Sequence, residues 1–267
     1  MSLTALILAA GNGKRMNSDI PKVLHKIHGK SMIEWVISGL KDLHTDDICL
    51  ILSPQIKPFS PLLDQYPKLN VCIQESANGT AGAVGVAQHF FEGVASVSYA
   101  QGYLYKGKKR KVDSVLICAG DIPAIDSQTL KNFVAFSRKQ GTKLSILGMQ
   151  VPDPTGYGRL VFSDDSSLSK IIEERDADES SKKIKICNSG IIYADVEFLF
   201  ILLQQVEKKN SQLEYYLTDC VDLAVKNGER VSVYVTEKWE AFSGINDKKQ
   251  LEAINQWFDR EHLKRGR

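Results

Sequence analysis

A glycine-rich turn with two cationic side chains follows the first apolar run of the chain. Residues 9–16 have the sequence Ala-Ala-Gly-Asn-Gly-Lys-Arg-Met. Glycines allow backbone N–H groups to approach anionic oxygens closely, and Lys14 and Arg15 add cationic donors that suit phosphate. A few residues later, Pro21 restricts the backbone next to Lys22 and holds that lysine at a defined place. Together these residues favour phosphate binding over the alternative, an ordinary turn with solvated basic residues.

The two common glycine-rich phosphate motifs do not fit this turn. The dinucleotide motif GxGxxG would need a glycine at Met16, and the P-loop motif GxxxxGK would need one at Leu8. A nicotinamide-dependent dehydrogenase is therefore disfavoured. The five histidines are scattered and none lies in a recognisable nucleophile motif, which also disfavours covalent catalysis.

A second group of polar residues follows another apolar run and opens a predicted helix. Gln74 carries a donor and an acceptor on one amide, as recognition of a pyrimidine edge requires, and Gly79 and Thr80 stand at the start of the helix. The alternative interpretation is a helix cap beside a surface glutamine. Because this loop also follows a strand, we expect it at the same edge of the sheet as the glycine-rich turn.

A carboxylate between a glycine and a proline follows the apolar run 114–118. Mg²⁺ is typically held by one or two protein oxygens together with substrate phosphates, so Asp121 alone is chemically adequate as a ligand. A helix N-cap is the alternative interpretation. Much later, Asn246 offers a carboxamide oxygen that could complete such a site, although Asp247 beside it is typical of a helix cap. Spacing in the sequence does not pair these residues.

Apolar, β-branched runs alternate with segments of helical period, which predicts an α/β fold with parallel strands and crossover helices. The predicted strands are 4–9, 48–52, 71–74, 114–118 and 144–150, and the predicted helices are 32–40, 80–91, 130–136, 196–206, 218–226 and 248–263. Beyond Gly156, short strands and turns indicate a smaller lobe on the substrate side. Open α/β sheets bind ligands at the carboxyl ends of their strands, where the polar turns described above lie.

The overall composition excludes several classes of protein. Apolar residues make up 43% and charged residues 25% of the 267 residues, as in ordinary globular domains. The formal net charge of +2 gives no general attraction to nucleic acid or to anionic membranes. The longest purely apolar runs, 5–10 and 198–203, are far shorter than the ~20 residues that span a bilayer. We therefore expect neither a nucleic-acid nor a membrane partner.

The five cysteines and the first residues of the chain bear on the compartment. The cysteines are odd in number, widely spaced and never in a CxxC pair, so we interpret them as small buried side chains. The first residues lack the basic start, apolar centre and small-residue cleavage site of a secretory signal. Both observations predict a cytoplasmic location.

Several motifs follow one another in a fixed order along the chain. They are Leu8-Ala9-Ala10-Gly11-x-Gly13-x-Arg15-Met16, Pro21-Lys22, Gln74 with Gly79-Thr80-Ala81, Gly120-Asp121-x-Pro123, Gly156-Tyr157-Gly158-Arg159, Asn188-x-Gly190 and Gly244-x-Asn246. This set resembles the sugar-1-phosphate nucleotidyltransferase family. Within that family it is similar to the uridylyltransferase domain of the bacterial N-acetylglucosamine-1-phosphate uridylyltransferases, also called UDP-N-acetylglucosamine pyrophosphorylases.

The resemblance implies a fold and a domain organisation. The fold is a Rossmann-like three-layer α/β/α nucleotidyltransferase fold with a mostly parallel mixed central sheet and a smaller substrate-side lobe. Residues 1–267 form one nucleotidyltransferase domain, with a nucleotide-binding part (1–125), a sugar-phosphate-binding part (126–247) and a C-terminal helix with a basic tail (248–267). The family usually continues into a hexapeptide-repeat acetyltransferase domain. No tandem hexapeptide pattern occurs here, so we expect only the uridylyl-transfer half.

The resemblance also assigns residues to a site. It implies that a nucleotide is bound by Ala10, Gly11, Gly13, Lys22, Gln74, Gly79 and Thr80, with Arg15 and Lys22 as the catalytic cations. It implies that Asp121 and Asn246 hold Mg²⁺. It implies an amino-sugar pocket lined by Gly158, Glu173, Asn188, Tyr216 and Thr218. Glu174 is an off-by-one rival to Glu173, which we prefer.

The implied reaction is Mg²⁺-dependent transfer of a uridylyl group from UTP to N-acetylglucosamine 1-phosphate, which gives UDP-N-acetylglucosamine and pyrophosphate. The alternatives are the same reaction with another sugar 1-phosphate or nucleoside triphosphate, and a non-catalytic module that binds a sugar nucleotide. Four positions depart from the family pattern, where a Gln, a His, a Tyr and a Gly are replaced by Ala77, Gly82, Ala119 and Leu213. The basic connection 100–111 is longer than the family needs, and such charge runs are usually solvated loops.

Overall fold

The computed structural model describes residues 2–11, 13–43, 45–92 and 112–265, so the basic connection 100–111 lies outside the described residues. The strands, in chain order, are β1 (Leu3–Leu8), β2 (Lys26–Ile27), β3 (Lys30–Ser31), β4 (Asp47–Leu52), β5 (Asn70–Ile73), β6 (Ser114–Ala119), β7 (Leu144–Gln150), β8 (Arg159–Phe162), β9 (Leu168–Ile172), β10 (Ile186–Asp195) and β11 (Val231–Thr236). The helices are α1 (Met32–Lys41), α2 (Ser60–Gln65), α3 (Thr80–Gly85), α4 (Gln88–Glu92), α5 (Ser127–Gln140), α6 (Val196–Leu203), α7 (Asp219–Lys226) and α8 (Lys248–Arg265).

The central sheet is mixed and mostly parallel, with the strand order β11-β7-β10-β6-β1-β4-β5. The parallel block β6-β1-β4-β5 has β1 inside it, where Leu6 lies opposite Ile117 of β6 and Cys49 of β4. β10 is antiparallel to both of its neighbours, β6 and β7, and β11 is parallel to β7. The hairpin of β8 and β9 branches from β10 at the pair Cys187 and Arg159. The carboxyl ends of the parallel strands β1, β4, β5 and β6 therefore share one edge of the sheet.

Helices cover both faces of the sheet. Successive side chains of a strand point to opposite faces, and in β1 Ala5 and Ile7 pack on one face while Leu6 packs on the other. The face of Ala5 is covered by α1, α2 and α5, and the face of Leu6 by α3, α6 and α7. Burial on both faces explains why these strands are nearly continuous apolar runs in the sequence. The predicted three-layer α/β/α fold is confirmed.

Several elements differ from the sequence-based expectation. The apolar pattern misses α2 and the strands β2, β3, β10 and β11, and it predicts one helix over 80–91 where the structure has α3 and α4. In β10 the register against β7 shifts between Asn188 and Ile191, and Gly190 has a φ of +79°. This bulge interrupts the alternation that would mark a strand. α3 ends at Gly85, a residue that disfavours helix interiors.

All five cysteines are free and buried, as the sequence predicts. The sulfur atoms of Cys49 and Cys72 lie 3.5 Å apart on the buried face of β4 and β5. The thiols therefore act as small core side chains. Within the described parts of the chain, no helix is long and apolar enough to cross a membrane.

Substitutions at two adjacent residues of β10 test the three-layer arrangement. Ile191 is 0% exposed and packs on one face of the sheet, and Ile192 is 2% exposed and packs on the other. We expect Ile191→Ala and Ile192→Ala each to lower the free energy of unfolding by about 2 to 5 kcal/mol, measured by urea denaturation. The control Val235→Ala, on the edge strand β11, should change it by less than about 1 kcal/mol. A near-neutral result at either isoleucine would contradict burial on both faces.

Candidate active site

Four side chains from three distant parts of the chain meet beside the carboxyl ends of β1 and β6. We call Arg15, Lys22, Asp121 and Asn246 the charged cluster. The Lys22 ammonium group donates hydrogen bonds to Asp121 Oδ2 and, over 3.1 Å, to Asn246 Oδ1. Arg15 Nη2 donates to the same Asn246 oxygen over 2.9 Å. The side chains of Lys22 and Asp121 are 16% and 15% exposed, so water screens this ion pair only in part.

The backbone holds Lys22 from both sides. Pro21 precedes it with a φ of −49°, and Val23 after it is buried. Gly13 lies against it with a φ of +54°, and a Cβ on Gly13 would be 2.7 Å from the Cβ of Lys22. A side chain at residue 13 would therefore displace Lys22 as well as strain the backbone.

Asp121 and Asn246 reach the same point because their backbone segments are joined. Asp121 lies two residues beyond β6, and its carbonyl oxygen accepts a hydrogen bond from the Ile245 N–H over 2.9 Å. Ile245 is buried and fixes the segment that carries Asn246. Next in the chain, Asp247 accepts a hydrogen bond from the Gln250 N–H over 2.9 Å, so it is the helix cap that the sequence indicates.

The oxygens of the charged cluster fit a divalent cation such as Mg²⁺. Asp121 Oδ2 and Asn246 Oδ1 both contact Lys22 Nζ, so two oxygens already converge on a single positive charge. One carboxylate and one amide oxygen are hard donors of the kind that Mg²⁺ uses. Because Mg²⁺ needs near-octahedral coordination, a cation held by these two residues would take its other oxygens from a ligand and from water.

The loop between β5 and α3 is braced by Gln74, which is 7% exposed. The Gln74 amide nitrogen donates to Gly79 O over 3.1 Å and to Asn78 Oδ1 over 2.9 Å. Gly79 has a φ of +109°, and a Cβ on it would lie 2.4 Å from Tyr215 O, so only glycine fits there. Gln74 is therefore not the surface glutamine of the alternative interpretation, and its contact with a base stays a prediction.

Hydrogen bonds join this loop to the segment ahead of α7. The Ala81 N–H donates to Tyr215 O over 2.9 Å, and the Tyr215 N–H donates to Asn78 O over 2.8 Å. The Thr80 hydroxyl oxygen accepts a hydrogen bond from the Leu217 N–H over 2.9 Å. Thr80, which is predicted to contact a nucleotide, is thereby held next to the segment that carries Tyr216 and Thr218, which are predicted to contact a sugar.

The predicted sugar residues form a second connected group. The Thr218 hydroxyl donates to Glu173 Oε1 over 2.9 Å, and a Cβ on Gly158 would lie 3.2 Å from Glu173 Oε2. The Asn188 N–H donates to the Gly158 carbonyl oxygen over 2.8 Å. Tyr216 and Glu173 both line a cleft of about 380 Å³. The structure thus brings all five of these residues together.

Glu174, the rival of Glu173, is engaged elsewhere. It forms an ion pair with Arg159 and accepts a hydrogen bond from the Gly156 N–H over 3.0 Å. Arg159 is 1% exposed, so Glu174 compensates a buried charge. This arrangement agrees with the preference for Glu173, whose contact with a sugar stays a prediction.

Burial raises the pKa of two carboxyl groups beside the cleft. Desolvation is the main cause of the raised Glu173 pKa; the Thr218 hydrogen bond opposes it, and the Asp219 and Asp176 carboxylates add to it. The Asp219 pKa is raised to about 6, first by burial and then by Asp222 and Asp176. Both groups resist ionisation because they are partly desolvated among like charges.

Two residues predicted to contact the nucleotide, Ala10 and Gly11, lie directly after β1. No atom lies within 4 Å of the position that a Cβ on Gly11 would take.

One contact residue of the site, Asn78, is not indicated by the sequence. Asn78 contacts both Gln74 and Gly82. The replacement of the family's histidine by Gly82 is the sequence feature that could have indicated Asn78. Residues 78 and 82 are four apart at the start of a helix and can therefore be neighbours.

Cationic side chains and hard oxygen donors at the carboxyl edge of a mostly parallel sheet suit the binding and transfer of phosphate groups. The chain belongs to the MobA-like NTP transferase domain family, whose family model matches residues 5–183. It is a nucleotidyltransferase, and the family resemblance of its motifs is confirmed.

Curated relatives match over nearly the whole chain. The bifunctional protein GlmU of Caldanaerobacter subterraneus subsp. tengcongensis is 32% identical over 270 residues, which cover 99% of this chain and 54% of the relative. The bifunctional protein GlmU of Staphylococcus epidermidis is 33% identical over 271 residues, which cover 100% and 56%. The chain therefore spans about half the length of the curated relatives it matches.

A solved structure has the same fold. It is a Bacillus anthracis protein described as a glucose-1-phosphate thymidylyltransferase, in complex with a sucrose. The match has a TM-score of 0.70 at 18% identity and covers 96% of this chain and 95% of that chain. At this identity the likeness concerns the fold alone.

The raised pKa of Asp219 predicts a pH dependence of stability. A carboxyl group with a folded pKa of about 6, against about 3.9 when unfolded, binds its proton more tightly in the folded state, so its contribution to stability falls as pH rises between these values. We expect Asp219→Asn to reduce the loss of unfolding free energy between pH 4 and pH 7, measured by urea denaturation. Asp164→Asn, in the exposed turn between β8 and β9, is the control. Equal pH slopes in wild type and Asp219→Asn would contradict the pKa shift.

Proposed function

We propose that this domain transfers a uridylyl group from UTP to N-acetylglucosamine 1-phosphate with Mg²⁺, and releases UDP-N-acetylglucosamine and pyrophosphate. The observation that carries the proposal is the charged cluster, where two cations and two hard oxygen donors meet at one edge of the sheet. The family and the GlmU relatives support nucleotidyl transfer. The activity named for the structural neighbour is consistent with a sugar 1-phosphate as acceptor.

In this proposal the nucleotide lies along the turn after β1 and the loop after β5. Its contacts would come from Ala10, Gly11, Gly13, Lys22, Gln74, Gly79 and Thr80. The sugar phosphate would lie beside Gly158, Glu173, Asn188, Tyr216 and Thr218. The hydrogen bonds that tie the loop after β5 to the segment ahead of α7 support this arrangement, because the reacting phosphates must be close together.

The acceptor needs no protein base. A phosphate monoester has a second pKa of about 6, so at neutral pH the sugar phosphate is largely a dianion and already a nucleophile. One of its oxygens would attack the α-phosphorus of UTP. The new P–O bond forms as the bond from the α-phosphorus to the bridging oxygen breaks, and pyrophosphate leaves with that electron pair.

Charge repulsion is the main barrier that the side chains must lower. Two like unit charges about 4 Å apart repel by roughly 4 kcal/mol in a partly screened site. Arg15 and Lys22 would lower this cost by contacting the phosphate oxygens from positions that the fold fixes beforehand. Asp121 and Asn246 would hold Mg²⁺, which further neutralises the phosphate oxygens when it is bound.

Glu173 is the group that would recognise the sugar. Its Oε1 accepts a hydrogen bond from the Thr218 hydroxyl, which leaves Oε2 free to accept one from a sugar N–H or O–H. Gly158 lies against this oxygen, and a larger residue there would crowd the approach. The acetamido N–H of N-acetylglucosamine supplies a suitable donor.

The alternative is the same reaction with another sugar 1-phosphate or another nucleoside triphosphate, because Ala77 and Gly82 depart from the family pattern. We also propose that the nucleotide-binding part of the domain ends at residue 125 and the sugar-phosphate-binding part at residue 247. Neither nucleic acid nor a membrane is a partner in this proposal. We propose a cytoplasmic location as well, since five free thiols suit a reducing compartment.

A pyrophosphate-release assay tests the proposal. The domain is incubated with Mg²⁺, each of the four nucleoside triphosphates and a panel of sugar 1-phosphates. We expect the highest rate with UTP and N-acetylglucosamine 1-phosphate. A different active pair would identify the alternative substrates, and no release from any pair would refute catalysis in favour of a binding module.

Substitutions in the charged cluster test the roles of its members. Removal of one positioned charge-stabilising contact typically lowers a rate by ~10² to 10³, so Lys22→Ala and Arg15→Ala should each lose at least that much turnover. Asp121→Ala should abolish Mg²⁺-dependent turnover and leave the circular dichroism spectrum unchanged. Lys143→Ala, which breaks an exposed ion pair with Glu229 at the opposite edge of the sheet, is the control. A loss of tenfold or less at Lys22 or Arg15 would argue against these roles.

A further inference from the structure

Asn78 and Gly82 are matched in shape. A Cβ on Gly82 would lie 1.9 Å from Asn78 Oδ1 and 2.5 Å from Asn78 Cγ. The carboxamide of Asn78 therefore occupies the space that any larger residue at position 82 would need. This arrangement depends on glycine at the first turn of α3, although glycine is a poor helix former.

The Gly79 carbonyl oxygen sets the orientation of the Gln74 amide, and the Asn78 carboxamide oxygen takes up the N–H group that remains. Gly79 O can only accept a hydrogen bond, so the Gln74 atom 3.1 Å from it must be the nitrogen. The second N–H of that nitrogen then points to Asn78 Oδ1, 2.9 Å away. If Gln74 flipped, its oxygen would face the Gly79 carbonyl oxygen, and the two would repel.

With both N–H groups of Gln74 in use, the side chain offers only an acceptor to a ligand. Among the described residues, Gln74 Oε1 has no hydrogen-bond partner, and it is not one of the buried unpaired side-chain atoms. The oxygen therefore remains accessible at the site. An amide that is free to rotate could instead present either a donor or an acceptor.

We propose that Asn78 is a positioning residue that selects the base by making Gln74 an acceptor only. This inference rests on the proposed function, in which Gln74 meets the base of the nucleotide. Uracil has a single N–H on its pairing edge, at N3, which can donate to Gln74 Oε1. A cytosine in the same pose would place the lone pair of its N3 against that oxygen, and two acceptors repel.

The test is the ratio of the dissociation constants of CTP and UTP, measured by calorimetry with Mg²⁺ present. Wild type should favour UTP. Asn78→Leu keeps the size of the side chain but removes the acceptor, and it should lower the selectivity at least about tenfold. Asn78→Asp keeps an acceptor in place and should retain the selectivity, although its charge weakens both nucleotides alike.

Two glycine substitutions in α3 form a matched pair. Gly82→Ala should push the Asn78 carboxamide away from Gln74 and lower the selectivity as Asn78→Leu does, while the melting temperature stays equal or rises because alanine favours helix. Gly85→Ala has nothing within 4 Å of its new Cβ and should leave the selectivity unchanged. Loss of selectivity without loss of stability separates base choice from folding.

The outcomes distinguish this inference from the proposed function. Unchanged selectivity in both Asn78→Leu and Gly82→Ala, together with lost selectivity in Gln74→Ala, would overturn the role of Asn78 and leave the function standing. Equal affinity of wild type for CTP and UTP would also overturn it. Wild type that binds no nucleoside triphosphate would refute the proposed function, and this inference with it.

Discussion

The convergence of two oxygens on one ammonium group is the interaction on which the site depends. Lys22 Nζ contacts Asp121 and Asn246, and Arg15 contacts Asn246 from the other side. The Lys22 and Asp121 charges would each be costly to hold alone in this part-buried place, and they compensate each other, while the exposed Arg15 leaves the cluster with a net positive charge. A bound polyphosphate with a divalent cation would add one anion and one cation to a cluster that already contains both signs. The fold can therefore hold these groups in place before a ligand arrives.

The sheet supplies the common edge, and a few hydrogen bonds bring the distant segments to it. Asp121 follows β6, the neighbour of β1, and the Ile245 N–H to Asp121 carbonyl bond brings Asn246 to the same place. On the other side of the site, Thr80 and Tyr215 join the loop after β5 to the segment ahead of α7. Glycine is required where two such segments touch, as Gly79 against the Tyr215 carbonyl oxygen illustrates. The chemistry is thus distributed along the chain but fixed by the core.

The sequence predicts the parallel core and the glycine-rich turn because both are local patterns, whereas the residues of the sugar pocket are assigned by the family resemblance alone. β1, β4, β6 and β7 are apolar runs, and the glycine-rich turn follows the first of them. Spacing alone could not predict the pairing of Lys22 with Asp121 and Asn246, since these residues lie 99 and 224 positions away in the chain, and only the family resemblance implies that they share a site. β10 is hidden by its bulge at Asn188. Asn78 is missed because its importance depends on an absent side chain at residue 82 and on the orientation of an amide, neither of which is a sequence pattern.

Electron paramagnetic resonance of Mn²⁺, used in place of Mg²⁺ with the domain saturated with UTP, measures whether the charged cluster holds a divalent cation. We expect wild type to bind Mn²⁺, and we expect Asp121→Asn and Asn246→Leu each to weaken this binding by about tenfold or more, as loss of groups that hold or orient a metal typically does. Asp164→Asn serves as the control and should bind like wild type. Unchanged Mn²⁺ affinity in both cluster variants would show that Asp121 and Asn246 do not hold the cation.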